Sequence, residues 1–299
     1  MSNYHESVLL KESVDALNIK EDGVYVDVTF GGGGHSKEIL KRLGEKGKLF
    51  AFDQDADALQ NVIEDDRFVL IGENFRYITR FLRFYGVKKV DGVLADLGVS
   101  SYQFDEATRG FSTRFDGELD MRMNQASGLS AKVVVNEYEE EKLADVLFLY
   151  GELRNARAIA KQIVSSRAEK SINTSFELKA ALKRFLPQAK EHKILAQIYQ
   201  AIRIEVNEEL EVLKEFLTQI PMLLNEDGRL SVISYHSLED RLVKRFIQMG
   251  KFQGEPEKDF YGNTNEPLKK VGKLIVPTQE EIKVNNRARS AKLRIATLK

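Results

Sequence analysis

The sequence predicts an α/β fold in which a doubly wound parallel sheet is interrupted by a helical insertion. Four strand-like runs open the chain, at residues 24–29, 48–52, 67–71 and 90–95. Residues 129–217 then have helical periodicity, and a strand pattern returns at residues 229–234. Because a sheet layer cannot hold several consecutive helices, we interpret the helical stretch as a domain inserted after the fourth strand.

The composition limits the class of protein. The chain has 299 residues, of which 42% are apolar and 30% are charged, so it can bury the core of one large domain or two modest ones. Its 45 Lys and Arg residues are balanced by 46 Asp and Glu residues, whereas a general polyanion binder should be basic. Nucleic-acid binding would therefore depend on local patches.

Cysteine is absent, which excludes disulfides, zinc–thiolate sites and a cysteine nucleophile. The four histidines have neither HxH nor HxxxH spacing, so no protein-built metal site is expected. No apolar run approaches the roughly 18 residues that span a bilayer, and the N-terminus lacks the pattern of a signal peptide. We therefore expect a cytoplasmic protein without a membrane partner.

The first strand leads into a glycine-rich turn within the sequence VYVDVTFGGGGHS at residues 24–36, and helical spacing follows. Glycine allows positive φ angles and lets a ligand approach the main chain, while the following helix offers unpaired N–H groups. A turn that only reverses the chain needs one or two glycines. The four residues Gly31 to Gly34 therefore favour a ligand-binding turn over a plain surface turn.

The spacing around this turn favours one class of ligand. The dinucleotide pattern G-x-G-x-x-G is incomplete, because its third glycine would fall at Ser36 or Lys37, and the G-K-[ST] order of a phosphate-binding loop is missing. The pattern D-x-x-x-G-x-G is present as Asp27, Gly31 and Gly33. It is typical of methyltransferases that use S-adenosylmethionine.

Polar and aromatic side chains follow the next strands, where a doubly wound sheet binds ligands. Asp53 can accept hydrogen bonds from ribose hydroxyls or cap a helix over residues 56–63, and its place at a strand end favours the ribose role. Phe75 can pack on an adenine ring or in the core, and spacing does not separate these alternatives. Asp96 ends the strand across the switch point and should face the cofactor or the reacting group.

Periodicity and capping signals predict the connecting elements. Residues 1–22 indicate a helical lead-in, and residues 105–126, rich in charge and glycine, indicate a functional loop. In the insertion, the capping box Thr174–Glu177 predicts the start of a helix that runs to Leu186. Two further helices are predicted over residues 193–206 and 207–224.

Features near the C-terminus have alternative interpretations. His236 follows the fifth strand, so a catalytic histidine and a helix-capping histidine are both open. Residues 250–285 are expected to be rich in loops. In residues 285–295, cations alternate with small or apolar residues, which favours a solvated edge strand over a phosphate-contacting patch.

Eight longer stretches add a more specific signal. They are TFGGGGHS (29–36), AFDQD (51–55), NFRYI (74–78), DGVLADLGVSS (91–101), RGFSTRFDGELDMRM (109–123), QAIRIEVNEEL (200–210), ISYHSLEDR (233–241) and NNRARSAKLR (285–294). Together, and in this order, they resemble the ribosomal RNA small subunit methyltransferase H family, also called the MraW family. One departure follows His192, where Lys193-Ile194-Leu195 stands and family members often have His-Pro-Ala before the QAIRI segment.

This resemblance implies a function, a cofactor and a partner. The expected reaction transfers a methyl group from S-adenosylmethionine to the exocyclic N4 of a cytidine in the decoding region of 16S ribosomal RNA, within the small ribosomal subunit. The expected fold is a Rossmann-like methyltransferase core, residues 1–108 and 208–299, with an inserted all-helical domain, residues 109–207, for substrate recognition. Monomer and homodimer both stay open. By family analogy, the cofactor contacts are Gly33, Gly34, His35, Asp53, Phe75, Asp96 and Gln103.

The residue chemistry fits methylation of an amine. Methylation of cytosine at C5 normally passes through a cysteine adduct, which this chain cannot form. An exocyclic amine needs a position in line with the methyl group and an acceptor for its hydrogens. Asp96 is the first candidate for that acceptor and His236 the second. The expected RNA contacts are Arg109, Asp120, Arg122, Arg203, Arg287 and Arg289.

Two other functions compete with this one: methylation of a small molecule or protein, and non-catalytic binding of S-adenosylmethionine by an assembly factor. The arginine-rich residues 109–123 and 287–294 argue against the first. The intact glycines and the strand-end carboxylates argue against the second.

Overall fold

The computed structural model describes residues 7–255 and 266–299. Within these ranges the chain divides into two compact units. One consists of the described residues of Met1–Gly98 and Leu210–Lys299, and the other is Val99–Glu209. The boundaries lie after Gly98 and Glu209, compared with residues 108 and 207 in the sequence prediction.

A seven-stranded sheet forms the centre of the first unit, as far as the structure describes it. Its strands are β1 (Val24–Asp27), β2 (Lys48–Phe52), β3 (Phe68–Ile71), β4 (Val90–Asp96), β5 (Leu224–Ser234), β6 (Leu268–Ile275) and β7 (Lys292–Leu298). Their spatial order is β3-β2-β1-β4-β5-β7-β6. The first five strands are parallel, and β7 pairs antiparallel with both β5 and β6. The strand order reverses between β1 and β4, so the binding crevice of this fold lies beyond their carboxyl ends.

Helices cover both faces of the sheet. In the first unit they are α1 (Leu10–Asp15), α2 (Gly34–Arg42), α3 (Ile78–Phe84), α10 (Glu209–Leu223), α11 (Ser237–Met249) and α12 (Gln279–Val284). Alternate residues of β1 enter different hydrophobic clusters: Tyr25 packs with residues of α2, whereas Val26 packs with residues of α10 and α11. This alternation follows from the period of a strand and confirms the predicted α/β fold class.

The second unit is helical. It contains α4 (Ser101–Asp105), α5 (Ala131–Glu137), α6 (Glu140–Leu149), α7 (Ala156–Glu169), α8 (Ser175–Ala181) and α9 (Glu191–Asn207). Residues of α5 to α9 form its own hydrophobic cluster. The predicted capping box is confirmed, since Thr174 and Glu177 exchange side chain–backbone hydrogen bonds at the start of α8. This helix ends at Ala181, and a separate 3₁₀ turn, Lys183–Phe185, follows it. The prediction of one continuous helix to Leu186 was wrong.

Two other sequence predictions were wrong. The helix expected over residues 56–63 is only a 3₁₀ turn, Ala58–Asn61, because Asp53 and Asp55 accept hydrogen bonds from the N–H groups two residues ahead and hold the chain in turns. Residues 250–285 were expected to be loop-rich, yet they contain β6 and α12, and residues 256–265 lie outside the described ranges.

The C-terminal strand also differs from the expectation. β7 is an inner strand, and β6 occupies the edge of the sheet. Leu293 and Ile295 are buried, while the intervening Arg294 is ion-paired with Asp240 of α11. A cation with such a partner fits inside a sheet, so charge alternation alone did not distinguish an inner strand from an edge strand.

In the described ranges, none of the helices combines the length and the apolar character that crossing a membrane requires.

Candidate active site

The glycine turn connects β1 to α2 and needs glycine for different reasons at different positions. Gly31 and Gly33 have φ angles of 51° and 75°, where other residues are strained. A Cβ atom on Gly34 would lie 2.0 Å from Ser7 Oγ, whereas one on Gly32 would meet no atom within 4 Å. The turn is therefore fixed on either side of Gly32, and its main chain is open there.

Asp53, at the end of β2, holds this turn in place. Its Oδ2 accepts the N–H of Gly31 at 2.8 Å, and its Oδ1 accepts the N–H of Asp55 at 2.9 Å. Burial raises the pKa of Asp53 to about 6, although both hydrogen bonds favour the charged form. Each carboxylate oxygen keeps a second lone pair, so Asp53 can still accept a hydrogen bond from a ribose hydroxyl.

Asp27 lies beneath the same turn at the end of β1 and is fully buried. It accepts hydrogen bonds from Ser36 Oγ at 2.7 Å and from the N–H of Thr29 at 3.1 Å. Burial raises its pKa. Asp27 thus ties the strand end to the first turn of α2 and adds negative charge below the glycines.

Asp96, at the end of β4, has a defined orientation. Tyr235, which follows β5, donates its hydroxyl to Asp96 Oδ1 at 2.7 Å, and the N–H of Asp96 donates to Thr29 Oγ1 at 2.6 Å. The second carboxylate oxygen, Oδ2, lies 3.9 Å from Nδ1 of His35. Burial raises the pKa of Asp96 to about 6. Tyr235 was missed in the sequence, where its only signal was a polar aromatic residue at a strand end.

His35 is buried on the first turn of α2, and its Nε2 lies 3.2 Å from the carbonyl oxygen of Val8. Its other ring nitrogen, Nδ1, faces Asp96 Oδ2. His35 therefore forms part of the wall beside the glycine turn.

His236 is the N-cap residue of α11. Its Nδ1 accepts the N–H of Glu239 at 3.4 Å, and Glu239 Oε2 accepts the N–H groups of Tyr235 at 2.9 Å and His236 at 3.3 Å. Glu239 Oε1 also lies 3.1 Å from His236 Nε2. The geometry thus shows the helix-capping alternative that the sequence left open.

Three carboxylates, those of Asp27, Asp53 and Asp96, end neighbouring parallel strands, and the charge interaction with His35 opposes the raised pKa of Asp27 and Asp96. Among the described residues, no lysine or arginine pairs with them, and Asp27 adds to the raised pKa of the other two by repulsion. Carboxylates without a lysine or arginine partner among the described residues, beside an open main chain, suit a ligand with hydroxyl groups and a positive charge. The ribose and sulfonium of S-adenosylmethionine meet these requirements.

Phe75 begins the 3₁₀ turn Phe75–Tyr77 beyond β3. Its ring meets the edge of Phe216 with a centroid separation of 5.3 Å, and it remains partly exposed. One side of the Phe75 ring therefore packs in the core, which is one of the two alternatives that the sequence left open.

Two predicted site residues in the second unit have internal roles. Gln103 is buried and forms a capping box with Ser100 at the start of α4. Arg109 is 2% exposed and donates to the carbonyl oxygens of Arg122 and Met123 at 2.9 and 3.3 Å. The Arg109 guanidinium is thus held inside this unit, and its contact with RNA stays a prediction.

The other predicted RNA contacts fall in both units. Arg122 is ion-paired with Asp120 at 2.5 Å, and Arg203 forms two bonds to Glu209 at 2.8 and 2.9 Å, all within the second unit. In the first unit, the 3₁₀ turn Asn286–Ser290 carries a partly buried Arg287 and an exposed Arg289.

Comparisons with known proteins identify the family. The model of the MraW methylase family matches residues 2–299. Ribosomal RNA small subunit methyltransferase H of Christiangramia forsetii is 68% identical over 99% of this chain and 98% of its own length. The proteins of that name from Flavobacterium johnsoniae and Cytophaga hutchinsonii are 68% and 58% identical, over 98% of this chain in each case and 97% and 99% of their own lengths. These matches confirm the resemblance, and with it the Rossmann-like fold class and the S-adenosylmethionine cofactor: the chain belongs to the MraW methylase family.

Proposed function

We propose that this protein transfers a methyl group from S-adenosylmethionine to the exocyclic N4 of a cytidine in the decoding region of 16S ribosomal RNA. Relatives that share nearly the whole length of the chain are named as methyltransferases of small subunit ribosomal RNA. The observation that carries the N4 chemistry is Asp96, an oriented carboxylate at the switch point of the sheet, in a chain without cysteine.

Residues around the glycine turn would hold the cofactor. Gly33 and Gly34 allow close approach, and His35 forms a wall. Asp53 would accept the ribose hydroxyls, and the exposed part of Phe75 would pack on the adenine. When bound, S-adenosylmethionine supplies a methyl group on a positively charged sulfur. Gln103, buried at the start of α4, stays a proposed cofactor contact.

Asp96 would accept a hydrogen bond from the cytosine amine and so turn the nitrogen lone pair out of conjugation with the ring. A carboxylate with a pKa of about 6 is largely ionised at pH 7 to 8, yet it can take the proton that the nitrogen loses. Tyr235 holds one oxygen of Asp96, which leaves Oδ2 for the amine. His236 contributes by fixing the start of α11 and thereby the backbone at Tyr235.

The inserted domain, residues 109–207, is proposed to recognise the RNA. Asp120, Arg122 and Arg203 would contribute from the second unit, and Arg287 and Arg289 from the first. The target base must be unstacked to reach a carboxylate at a strand end. A small-subunit substrate implies action in the cytoplasm, as a monomer or a homodimer.

The decisive experiment maps methylated nucleotides in 16S ribosomal RNA with and without the protein, using a method that separates N4 from C5 products. We expect one N4-methylated cytidine in the decoding region to disappear with the protein. It should return with the wild-type chain but not with Asp96→Ala. An unchanged N4 map, or a C5 product, would refute the proposal.

A further inference from the structure

A basic groove lies on the first unit, between α11, the edge strand β6 and its neighbour β7. Its cations are Lys244 of α11, Lys270 and Lys273 of β6, and Arg294 of β7. The described residues that line this groove include no acid, and the three lysines are exposed. Local positive charge of this kind stands out in a chain whose net charge is −1.

Asp240, the carboxylate bonded to Arg294 of the groove, already has cationic partners. Asp240 accepts hydrogen bonds from Arg294 Nε at 2.6 Å and from Lys292 Nζ at 3.3 Å. Burial opposes the charged form of Asp240, but these cations outweigh it and lower its pKa. Lys244, Lys270 and Lys273 form no ion pair among the described residues, so their charges are uncompensated.

The backbone of β6 brings two of these lysines to one side. In a regular strand, residues three apart point to opposite faces. The pairing of β6 with β7 shifts register between Val271 and Ile275, and Gly272 has a φ of 64°. As a result Lys270 and Lys273 line the same groove, which brings like charges together at a cost in repulsion.

We propose that this basic groove binds the sugar–phosphate backbone of the substrate RNA, away from the methylated base. Three lysines that line one groove without ion pairs among the described residues suit the repeated charge of a phosphate chain, and each phosphate contact releases counterions. Protection of an exposed sheet edge also favours lysines and a bulge on β6, but it does not account for Lys244, which lies on a helix. The inference rests on the proposed function, because it assumes an RNA substrate.

The test compares the triple variant K244Q/K270Q/K273Q with the wild type in binding to protein-free 16S ribosomal RNA across a salt series, without cofactor. We expect the slope of log affinity against log salt to fall by about 2, since each single-strand phosphate contact contributes about 0.7. Affinity near 0.1 M salt should fall about tenfold or more. In methyl transfer, KM for the subunit should rise while kcat stays near that of the wild type.

Matched controls separate this role from a general charge effect. K11Q/K46Q/K48Q removes the same charge from exposed lysines elsewhere on the first unit, and K269Q removes an exposed lysine of β6 that does not line the groove. Both should keep the wild-type slope. K244R/K270R/K273R should keep it too, because arginine retains the charge.

Equal slopes for the triple glutamine variant and K11Q/K46Q/K48Q would overturn the proposal. So would normal binding to naked RNA combined with weakened binding only to subunits that carry their proteins. Groove-dependent RNA binding by a wild type that transfers no methyl group to the RNA would support the groove and refute the proposed reaction. Unchanged melting temperatures confirm that the variants are folded.

Discussion

At the scale of single residues, the proposed chemistry depends on the ionisation of Asp96. Burial raises its pKa to about 6, so the carboxylate loses its charge as pH falls through that value. We expect single-turnover methyl transfer at saturating cofactor to be constant above about pH 7 and to fall tenfold per unit below about pH 6. Asp96→Asn should lower the rate about 10²–10⁴-fold and remove this acid limb. The exposed Asp66→Asn serves as the control, and near-normal transfer by Asp96→Asn would contradict the assignment.

Tyr235 gives a second prediction on the same carboxylate. Its hydroxyl donates to Asp96 at 2.7 Å, and this hydrogen bond favours the ionised form and lowers the pKa of Asp96. Tyr235→Phe removes the bond but keeps the ring. The acid limb of the rate profile should therefore move to higher pH, while the cofactor Kd changes little. A profile that falls in height without moving along the pH axis would mean that Tyr235 acts only through packing.

Single residues also show which properties could not be predicted from the sequence. Asp53 and Asp96 were predicted as site residues because their strands end at a known edge of the sheet. Arg109 was predicted to contact RNA, and the sequence did not indicate that it is buried and bonds to backbone carbonyls. Tyr235 was passed over because its partner is 139 positions away in the chain. Long-range partners and burial are properties of the fold, and local spacing does not report them.

At the scale of elements, two substitutions of His236 distinguish a helix-capping role from a chemical role. Asn caps helices well and Ala does not, so His236→Ala should lower the free energy of unfolding by about 1 kcal/mol and His236→Asn by much less. If capping is its whole role, His236→Asn should also retain methyl transfer within a few-fold. Denaturant unfolding and single-turnover rates together test this. A folded His236→Asn variant with a rate loss above 100-fold would instead make the imidazole a chemical group.

Helices and strands were predicted accurately where the residues that determine them lie close together in the sequence. The predicted bounds of β2, residues 48–52, are confirmed, because its last four residues form the apolar run that a buried parallel strand requires. The capping box at Thr174 was also predicted correctly, because all its partners lie within four residues of one another in the sequence. The inner position of β7 was missed because it depends on Asp240, which lies on a helix about 50 residues earlier. Local signals were thus recovered, and the pairing of distant elements was not.

At the scale of the whole molecule, the strand-end carboxylates should oppose stability while they serve the site. The pKa of Asp53 is about 6 in the folded protein and 3.8 as its ordinary value, so the folded state binds the extra proton between these values. The contribution of Asp53 to the free energy of unfolding is therefore most favourable below about pH 4, and it is lost as pH rises through 6. We expect Asp53→Asn to raise the melting temperature of the cofactor-free protein at pH 7.5 more than at pH 4.5. The control Asp66→Asn should change the melting temperature equally at both pH values. A shift for Asp53→Asn that is equal at both pH values would contradict the prediction.

The near-zero net charge of the molecule gives the last prediction, about the form of the substrate. A net charge of −1 provides little general attraction for a polyanion, so binding should depend on a basic surface that meets a shaped partner. We expect kcat/KM on small ribosomal subunits to exceed that on a short oligonucleotide of the same target sequence by at least about 100-fold, or about 2.7 kcal/mol. The advantage should shrink as salt rises, because screening weakens the backbone contacts. Subunits stripped of protein provide the intermediate case. Efficient turnover of the isolated oligonucleotide would show that the base and its neighbours suffice, and the requirement for a larger RNA surface would then fail.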